Sequence, residues 1–515
     1  MFGSLETNIA TPHRMRPASN ASFHAILFVT FFLTIGCSSK PAGAKAIPAV
    51  PAPEQTTTAT TYTYPLKVSK NGRYLVDQND KPFRIQGDSA QSLIANLTFA
   101  EAELYFSDRQ AMGFNTVNIN LLEHKFAVHA PADRNGDQPF TTPGDFSKPN
   151  EAYFAFADSI IGLAASKGIL VSFAPMYLGV RGGDEGWWSV LTSSTNTQKV
   201  CYNFGLYVGN HFKSRKNILW VIGGDYLPPP GSEGEARLHK FMEGIKAAGG
   251  SQLFAGDWEQ DTISTDEPAF ASAMALNAVY TYGRKGQAGA TYVESGRAYS
   301  YSPPRPAYLK ETGYEGENWA AGDPSSVRNY EYRAILGGCT AGAFFGHRDI
   351  WEFATDKWWS GFNFGHESWR KSLNSPGTFD MVRLGQLLDA IAWFDLIPSG
   401  LAGTKNFITE GGGNFGDADY IVAAASADRK VLLAYVPPAS KDSRGFTVDS
   451  ALLGGSVRAR WFDPASGNYK PISESPLPNR GLAHFTTPGR NAAGATDWVL
   501  LLEVGSKHAA GSAAE

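Results

Sequence analysis

Eight short apolar runs recur along the middle of the chain, and each ends in polar residues or glycine. Many are separated by stretches with helical spacing, such as 150–167, where Phe154, Ile160 and Ile161 share one face. This alternation predicts a (β/α)8 barrel. An open doubly wound sheet is the alternative, but no GxGxxG turn follows the first run. The runs are 82–88, 114–120, 169–175, 217–225, 253–259, 276–283, 306–315 and 341–353.

The pattern changes after residue 400. Residues 401–505 contain short runs with a period of two, such as DYIVAAAS and DWVLLLEV, separated by Gly, Pro, Asn and Asp. Such runs predict an antiparallel β-sandwich. The fold class is therefore α/β, with a barrel over 66–400 that carries the candidate catalytic residues and a small C-terminal sandwich over 401–505. The small and polar residues 506–515 predict a frayed tail.

The first 65 residues are predicted to form an export signal and a tether rather than a folded domain. Residues 25–36 are apolar but too few for a membrane span, which takes roughly 20 residues. Arg14 and Arg16 precede them and Gly36-Cys37 follows, which is the order of an export signal over 1–36. The small residue before Cys37 resembles a bacterial lipoprotein signal and predicts lipid attachment there. A plain cleaved signal and an uncleaved anchor are the alternatives.

Residues 37–65 are rich in Pro, Ala and Thr and poor in large apolar residues, so they predict a disordered tether. We therefore expect an exported protein of the periplasm or cell surface, which meets the membrane only through its lipid anchor.

Composition excludes several classes of protein. With 45 basic and 49 acidic residues the net charge is −4, which leaves no basic excess for a phosphate backbone, so we expect no nucleic-acid partner. Three cysteines are too few for a disulfide framework or a four-cysteine zinc site. Sequence does not decide whether Cys201 and Cys339 pair, and no protein partner is evident. Aromatic residues make up 13% of the chain and offer flat faces to sugars.

Two carboxylates stand at the ends of facing strands, where a barrel carries its reactive groups. Asp225 ends the fourth run and Glu311 follows the seventh, so both can flank a bond held at the centre. Glycoside hydrolysis needs one acid for the leaving oxygen and one carboxylate as nucleophile or base. Their separation, which distinguishes retention from inversion, is not readable from sequence. Glu315 is the alternative to Glu311 as the nucleophile.

The remaining strand-end polar residues and loop aromatics are candidates for binding the substrate. The strand ends are rich in acids and amides and almost free of Lys, which suits a neutral, hydroxyl-rich substrate. A metal at His347, Asp349 and Glu352 lacks a second histidine, so we expect no metal and no cofactor. The candidates are Asp88, Asn120, Tyr177, Trp187, Trp188, Tyr282, Glu315 and His347.

Five segments carry a family resemblance: KPFRIQGDSAQSL, MGFNTVNIN, NILWVIGGDYLPP, KETGYEGE and YRAILGGCTAGAFFGHRDIWEF. In these the chain resembles the apiosidase-like family of glycoside hydrolases. The resemblance implies a retaining barrel with Asp225 as acid/base and Glu311 as nucleophile, and a C-terminal sandwich of a type labelled collagen-binding. IQGDSAQSL departs from the Trp-rich stretch usual in that family, so the sugar and linkage stay open.

Three functions remain for comparison. The first is an exported glycoside hydrolase that cleaves plant or microbial polysaccharide or oligosaccharide. The second is a surface lipoprotein that binds carbohydrate without turnover. The third is an adhesion protein in which the sandwich binds the ligand.

Overall fold

The computed structural model describes residues 61–505, except for 124, 283–287, 318–321, 359–366 and 402. The predicted export signal, Cys37, residues 37–60 of the predicted tether and the tail therefore lie outside the described residues. The last tether residues pack on the barrel, since the ring centroids of Tyr62 and Phe83 are 4.7 Å apart. The Tyr64 hydroxyl also donates to the Gly168 carbonyl at 2.9 Å. The folded unit thus begins before residue 66, the predicted boundary.

Eight parallel strands form the predicted barrel, so this part of the fold prediction is confirmed. Each short strand lies within its apolar run or extends it by one residue. A ninth strand runs antiparallel to its neighbour, and a small antiparallel sheet precedes the barrel. The small sheet contains β1 (Lys67–Val68), β2 (Leu75–Val76) and β3 (Pro82–Phe83). The barrel strands are β4 (Ile85–Ser89), β5 (Thr116–Asn120), β6 (Leu170–Ala174), β7 (Ile218–Gly223), β8 (Leu253–Asp257), β9 (Thr262–Ile263, the antiparallel one), β10 (Asn277–Tyr280), β11 (Ala307–Glu311) and β12 (Gly342–Phe345).

A serine hydroxyl connects β8 and β10, the two strands between which the sheet order breaks. The Gly256 amide donates to Ser264 Oγ at 3.0 Å, and the Ala278 amide donates to the same atom at 2.8 Å. Ser264 Oγ in turn donates to the Gly256 carbonyl at 2.7 Å. The Ser264 side chain therefore connects β8 and β10 at the point where β9 lies between them in the chain.

Helices surround the barrel, and their first residues explain where they begin. The Thr98 side chain accepts from the Glu101 amide at 3.3 Å while Glu101 accepts from the Thr98 amide at 3.0 Å, a capping box. Between β8 and β10 the described helix has only one turn. The helices are α1 (Leu93–Asn96), α2 (Phe99–Ala111), α3 (Glu151–Ser166), α4 (Trp188–Leu191), α5 (Gln198–Phe212), α6 (Glu233–Ala247), α7 (Pro268–Ala271), α8 (Ala288–Ser300), α9 (Pro324–Gly337), α10 (Arg348–Trp351), α11 (Trp369–Ser372) and α12 (Pro376–Asp389). None of the described helices is long and apolar enough to cross a membrane.

The C-terminal sandwich packs a six-stranded sheet on a three-stranded one, as predicted. Its first strand already begins at Leu396, whose register partner is Ser426, so the sheet starts before the predicted boundary at 401. The larger sheet contains β13 (Leu396–Pro398), β15 (Val422–Ser426), β16 (Val431–Val436), β18 (Val457–Phe462), β19 (Tyr469–Pro471) and β21 (Trp498–Val504); the smaller one contains β14 (Ile408–Glu410), β17 (Gly445–Asp449) and β20 (Leu482–Thr486).

The two cysteines of the described part of the chain are free thiols, so they do not pair. Cys201 Sγ donates to the Asn196 carbonyl at 3.4 Å, and Cys339 Sγ donates to Ser295 Oγ at 3.2 Å. Both are buried and serve as small core side chains.

Candidate active site

A cavity of about 450 Å³ opens at the carboxyl ends of the barrel strands. Asp225 and Glu311, the predicted catalytic pair, both line it. Asp225 follows β7 and Glu311 ends β11, the fourth and seventh of the parallel strands. Aromatic side chains make up much of the remaining wall: Phe126, Tyr177, Tyr280, Tyr282, Tyr314 and Trp351.

A glycine pair brings Asp225 into the cavity. Gly223 and Gly224 have φ of 110° and 112°, and a Cβ on Gly223 would lie 2.1 Å from the Asp257 carbonyl oxygen. A Cβ on Gly224 would lie 2.6 Å from the Tyr177 ring. Only glycine fits both positions, and Asp225 itself lies in the left-handed region with φ of 55°. The Gly-Gly-Asp sequence is therefore a requirement of the turn.

Two tyrosines hold the Asp225 carboxylate. The Tyr177 hydroxyl donates to its Oδ2 at 2.7 Å, and the Tyr280 hydroxyl also donates to it. Burial raises the pKa of Asp225, and the nearby Asp257 charge raises it further, while the hydrogen bonds and Lys310 act in the opposite direction. A carboxyl group with a raised pKa can carry the proton that a general acid needs.

A β-bulge places Glu311 in the cavity. Along β11, Tyr308 is in the core inside the barrel and Leu309 is in the core outside it, so simple alternation turns Lys310 inward and Glu311 outward. The register against β10 skips one residue, since Val279 pairs with Leu309 but Tyr280 pairs with Glu311. Lys310 is the extra residue of this bulge, which is why two consecutive side chains line the cavity.

The Glu311 carboxylate lies in a group of charges. The Tyr314 hydroxyl donates to its Oε1 at 2.9 Å, and Lys310 Nζ lies 3.7 Å from its Oε2. The same ammonium lies 3.1 Å from Asp257 Oδ2. Burial raises the pKa of Glu311, Lys310 lowers it, and the charges of Asp225 and Asp257 raise it. Three carboxylates and one ammonium thus share a buried space, an arrangement that keeps a proton available.

Three of the predicted substrate-binding residues line the same cavity: Asn120, Tyr177 and Tyr282. The Tyr282 hydroxyl donates to Glu317, another lining residue. Their amide and phenol groups can bind sugar hydroxyls.

Asp88 and Trp187 are not among the residues that line the cavity. Asp88 is fully buried, accepts from the Tyr105 hydroxyl at 2.8 Å and pairs with Arg109 at 3.3 Å, and burial raises its pKa to about 6. Trp187 is a core side chain whose Nε1 donates to the Glu123 carbonyl at 3.3 Å. Both side chains therefore pack within the barrel wall and do not face the cavity.

Trp188 and Glu315 also lie away from the cavity lining. Trp188 packs edge-on against Tyr226, with ring centroids 4.8 Å apart. Glu315 accepts from Ser375 Oγ at 2.6 Å and from the Gly377 amide at 3.1 Å at the start of α12. Burial raises the pKa of Glu315 to about 7. Glu315 would share the face of Glu311 only if the strand continued, whereas β11 ends at Glu311 and the chain turns away.

His347 is the last predicted binding residue outside the lining. Its Nδ1 accepts from the Asp349 amide at 3.1 Å, which caps α10, and burial lowers its pKa to about 3. Asp349 accepts from Ser372 Oγ at 2.9 Å. The described residues contain no cluster of three or more His, Cys, Asp or Glu side chains that could hold a metal ion.

Sequence reasoning missed Lys310 and did not single out Asp257, Tyr280 and Tyr314 as partners of the two carboxylates. Asp257 ends the fifth apolar run and is one of the strand-end acids that the sequence predicts at this end of the barrel. Alternation along β11 would turn Lys310 inward but Glu311 outward, so the sequence gives no sign that both side chains line the cavity together. Lys310 is thus a lysine at strand ends that are otherwise rich in acids and amides.

The sequence model described as "Apiosidase-like, catalytic domain" matches residues 69–395. The chain belongs to the apiosidase-like family of glycoside hydrolases. A second model, "Putative collagen-binding domain of a collagenase", matches residues 406–503, the sandwich. As a member of this family, the apiosidase-like protein is a glycoside hydrolase and acts on carbohydrate.

Solved structures share the fold of the apiosidase-like protein across both domains. A structure titled "Glycoside hydrolase" is 23% identical with a TM-score of 0.72, and the match covers 87% of this chain and 99% of that one. A glycoside hydrolase family 5 structure from Bacteroides vulgatus is 21% identical with a TM-score of 0.73, covering 88% and 97%. A search of curated proteins gives no match.

Proposed function

We propose that the chain is a retaining O-glycosidase in which Asp225 is the acid/base and Glu311 is the nucleophile. Its substrate is a neutral plant or microbial polysaccharide or oligosaccharide. The observation that carries this proposal is that two partly buried carboxylates from facing strands line one cavity. Both carboxylates also interact with Lys310 and with each other.

The reaction takes two displacements. In the first, Asp225 gives its proton to the glycosidic oxygen while a Glu311 oxygen attacks the anomeric carbon, and the bond to the leaving group breaks. In the second, the Asp225 carboxylate takes a proton from water as that water attacks the anomeric carbon. The bond to Glu311 breaks, and both residues return to their starting states.

Surrounding residues orient these groups. Tyr177 and Tyr280 donate to Asp225, and Tyr314 donates to Glu311, so neither carboxylate is free to rotate. Asn120 and Tyr282 offer polar groups to sugar hydroxyls. Aromatic rings on the wall offer apolar faces to the sugar carbons.

The test is hydrolysis of a panel of aryl glycosides and of pectic and arabinan oligosaccharides, with product stereochemistry followed by NMR. Asp225→Asn and Glu311→Gln should each lower kcat/KM at least about 1,000-fold, the scale expected when a reacting group is lost. Both should keep the circular dichroism spectrum of the wild type. Glu103→Gln, at a half-exposed helix position outside the cavity, is the matched control and should keep full activity.

Near-normal turnover in either variant would remove that residue from the mechanism. A product of inverted anomeric configuration would show that Glu311 acts as a base that activates water and not as a nucleophile. A wild type that binds oligosaccharide but releases no reducing ends would favour the surface lipoprotein that binds without turnover.

We also propose that the enzyme is exported and anchored by a lipid on Cys37. The support is the order of charged, apolar and small residues in the first 37 positions. Cys37→Ser should move the protein from the membrane fraction to the soluble fraction of the periplasm or medium. Equal membrane recovery of both forms would contradict the lipid anchor.

A further inference from the structure

The cavity contains a buried cation that the two displacements do not use. The Lys310 side chain is 3% exposed, and its Nζ lies between Asp257 Oδ2 at 3.1 Å and Glu311 Oε2 at 3.7 Å. Burying an ammonium costs free energy unless carboxylates compensate it. The bulge in β11 leaves Glu311 and Lys310 side by side on the cavity wall, which a regular strand would not do.

Lys310 is the one cation among the described residues that line the cavity. The groups that face or surround Glu311 come from five parts of the barrel. They are Tyr177 after β6, Asp225 after β7, Asp257 on β8, Tyr280 and Tyr282 on or after β10, and Lys310, Tyr314 and Glu317 on or after β11. The Lys310 ammonium forms ion pairs with Asp257 and Glu311, so its charge affects how negative charge is distributed among the three acids.

Taken alone, the hydrogen bonds would make Asp225 ionise before Glu311. Asp225 accepts from two tyrosine hydroxyls, whereas Glu311 accepts from one, that of Tyr314. Hydrogen bonds from neutral donors stabilise the charged form, so they would ionise Asp225 first. The retaining reaction needs the opposite order, with Glu311 charged and Asp225 protonated.

We propose that Lys310 is a positioning residue that holds the negative charge on Glu311 and thereby leaves the shared proton on Asp225. Asp257 anchors the ammonium at 3.1 Å. This inference rests on the roles proposed above for the two carboxylates. If Lys310 only neutralised Asp257, its loss would change stability but would not change the order in which Asp225 and Glu311 ionise.

The first measurement uses the wild-type chain and needs no substrate. Side-chain carboxyl carbons are labelled with 13C in Glu and in Asp, and the signals of Glu311 and Asp225 are assigned by their loss in Glu311→Gln and Asp225→Asn. Titration should show Glu311 ionising at a lower pH than Asp225. The reverse order in the wild type would overturn the proposal without any Lys310 variant having to fold.

The second measurement compares Lys310→Met with Lys310→Arg, and uses Tyr308→Phe as the matched control. Tyr308 lies on the same strand, is fully buried, does not line the cavity and loses no charge when changed to Phe. In Lys310→Met the ionisation midpoint of Glu311 should rise by at least about one pH unit. Lys310→Arg should restore most of the difference, and Tyr308→Phe should leave the midpoint unchanged.

Kinetics on a glycoside hydrolysed by the wild type add a separate readout. Lys310→Met should lower kcat at least about 10-fold, change KM less than about threefold, and shift the acidic limb of the pH profile upward. An unshifted limb and an unshifted Glu311 midpoint would overturn the proposal. If the midpoint shifts as expected but Asp225→Asn retains full activity, the electrostatic role stands and the proposed catalytic role of Asp225 fails.

Discussion

Two clusters of buried charge differ in how completely their charges are matched. The cavity cluster, at the open end of the barrel, contains Asp225, Asp257, Glu311 and Lys310, so that three acids face one base. The interface cluster, between the barrel helices and the sandwich, contains Arg328, Arg383, Asp380 and Asp497, and each of these two carboxylates forms an ion pair with an arginine.

The interface cluster is closely paired. Arg328 on α9 donates from Nε and Nη2 to Asp497 at 2.8 and 2.7 Å, and from Nη1 to Asp380 at 2.9 Å. Arg383 donates to the other Asp380 oxygen at 2.8 Å, and the Tyr435 hydroxyl donates to Asp497 at 2.9 Å. The arginines lower the pKa of Asp380, although burial still raises it to about 6.

This difference in charge pairing indicates a structural role for the interface cluster and a chemical role for the cavity cluster. Matched charges with several hydrogen bonds each hold two domains in one arrangement, and removing one partner leaves the others buried without compensation. Unmatched acids repel each other and hold a proton, which costs stability and suits acid/base chemistry. Changes in the interface cluster should therefore affect folding, and changes in the cavity cluster should affect turnover.

Arg328→Met carries the largest expected effect on stability. It leaves Asp497 and Asp380 without their main partner and should lower the free energy of unfolding by about 3–5 kcal/mol. Urea denaturation followed by circular dichroism measures the loss. Turnover per folded molecule should stay within about twofold of the wild type, because Arg328 does not line the cavity.

Arg490→Met is the matched control for that change. Arg490 is 61% exposed in its surface pair with Asp442, so its loss should change the free energy of unfolding by no more than about 0.5 kcal/mol. A similar result for Arg328→Met and Arg490→Met would show that the interface cluster does not hold the domains together.

Glu311→Gln should change the free energy of unfolding less than Arg328→Met does, and it should raise that free energy rather than lower it. The folded-state pKa of Glu311 is raised above its unfolded value, so its stabilising contribution is complete below the unfolded pKa and is lost as pH rises through the folded pKa. Gln does not ionise, so the variant should exceed the wild type by about 1–3 kcal/mol at pH 8 and match it near pH 4. Denaturation curves at both pH values measure the difference.

Glu103→Gln serves again as the control, since Glu103 is 55% exposed and its replacement should change the free energy of unfolding by no more than about 0.5 kcal/mol. If Glu311→Gln were less stable than the wild type at pH 8, the attraction of Lys310 would outweigh burial and repulsion at that carboxylate.

The barrel and the sandwich could be predicted from sequence because they follow from periodicity. Each barrel strand is a short run that is almost entirely buried. The central sandwich strands β15, β16 and β21 are buried over most of their length, because alternate residues lie in the sandwich core and in the core shared with the barrel helices. The start of the folded unit could not be predicted in the same way. Tyr62 and Tyr64 bury their rings against residues distant in the chain, whereas local composition indicates only a linker.

The cavity position of Asp225 and Glu311 was predictable because both follow buried strands. The surrounding details were not, because they depend on exact register. One bulge turns Glu311 into the cavity beside Lys310, and one turn after β11 brings Glu315 to the start of α12. His347 likewise follows a strand, yet its ring turns back to cap the next helix.

His347→Asn should therefore have the smallest effect of these changes. Asn can accept the same Asp349 amide, so the cap is kept and the free energy of unfolding should change by no more than about 1 kcal/mol. Because burial lowers the pKa of His347 to about 3, the ring is neutral throughout pH 5–8 and contributes no ionisation to the activity profile there. The pH profile of kcat/KM should keep its shape, with a change in magnitude below about threefold. Disappearance of a limb with a midpoint near 6.5, the ordinary histidine value, would instead show that His347 titrates during turnover and faces the substrate.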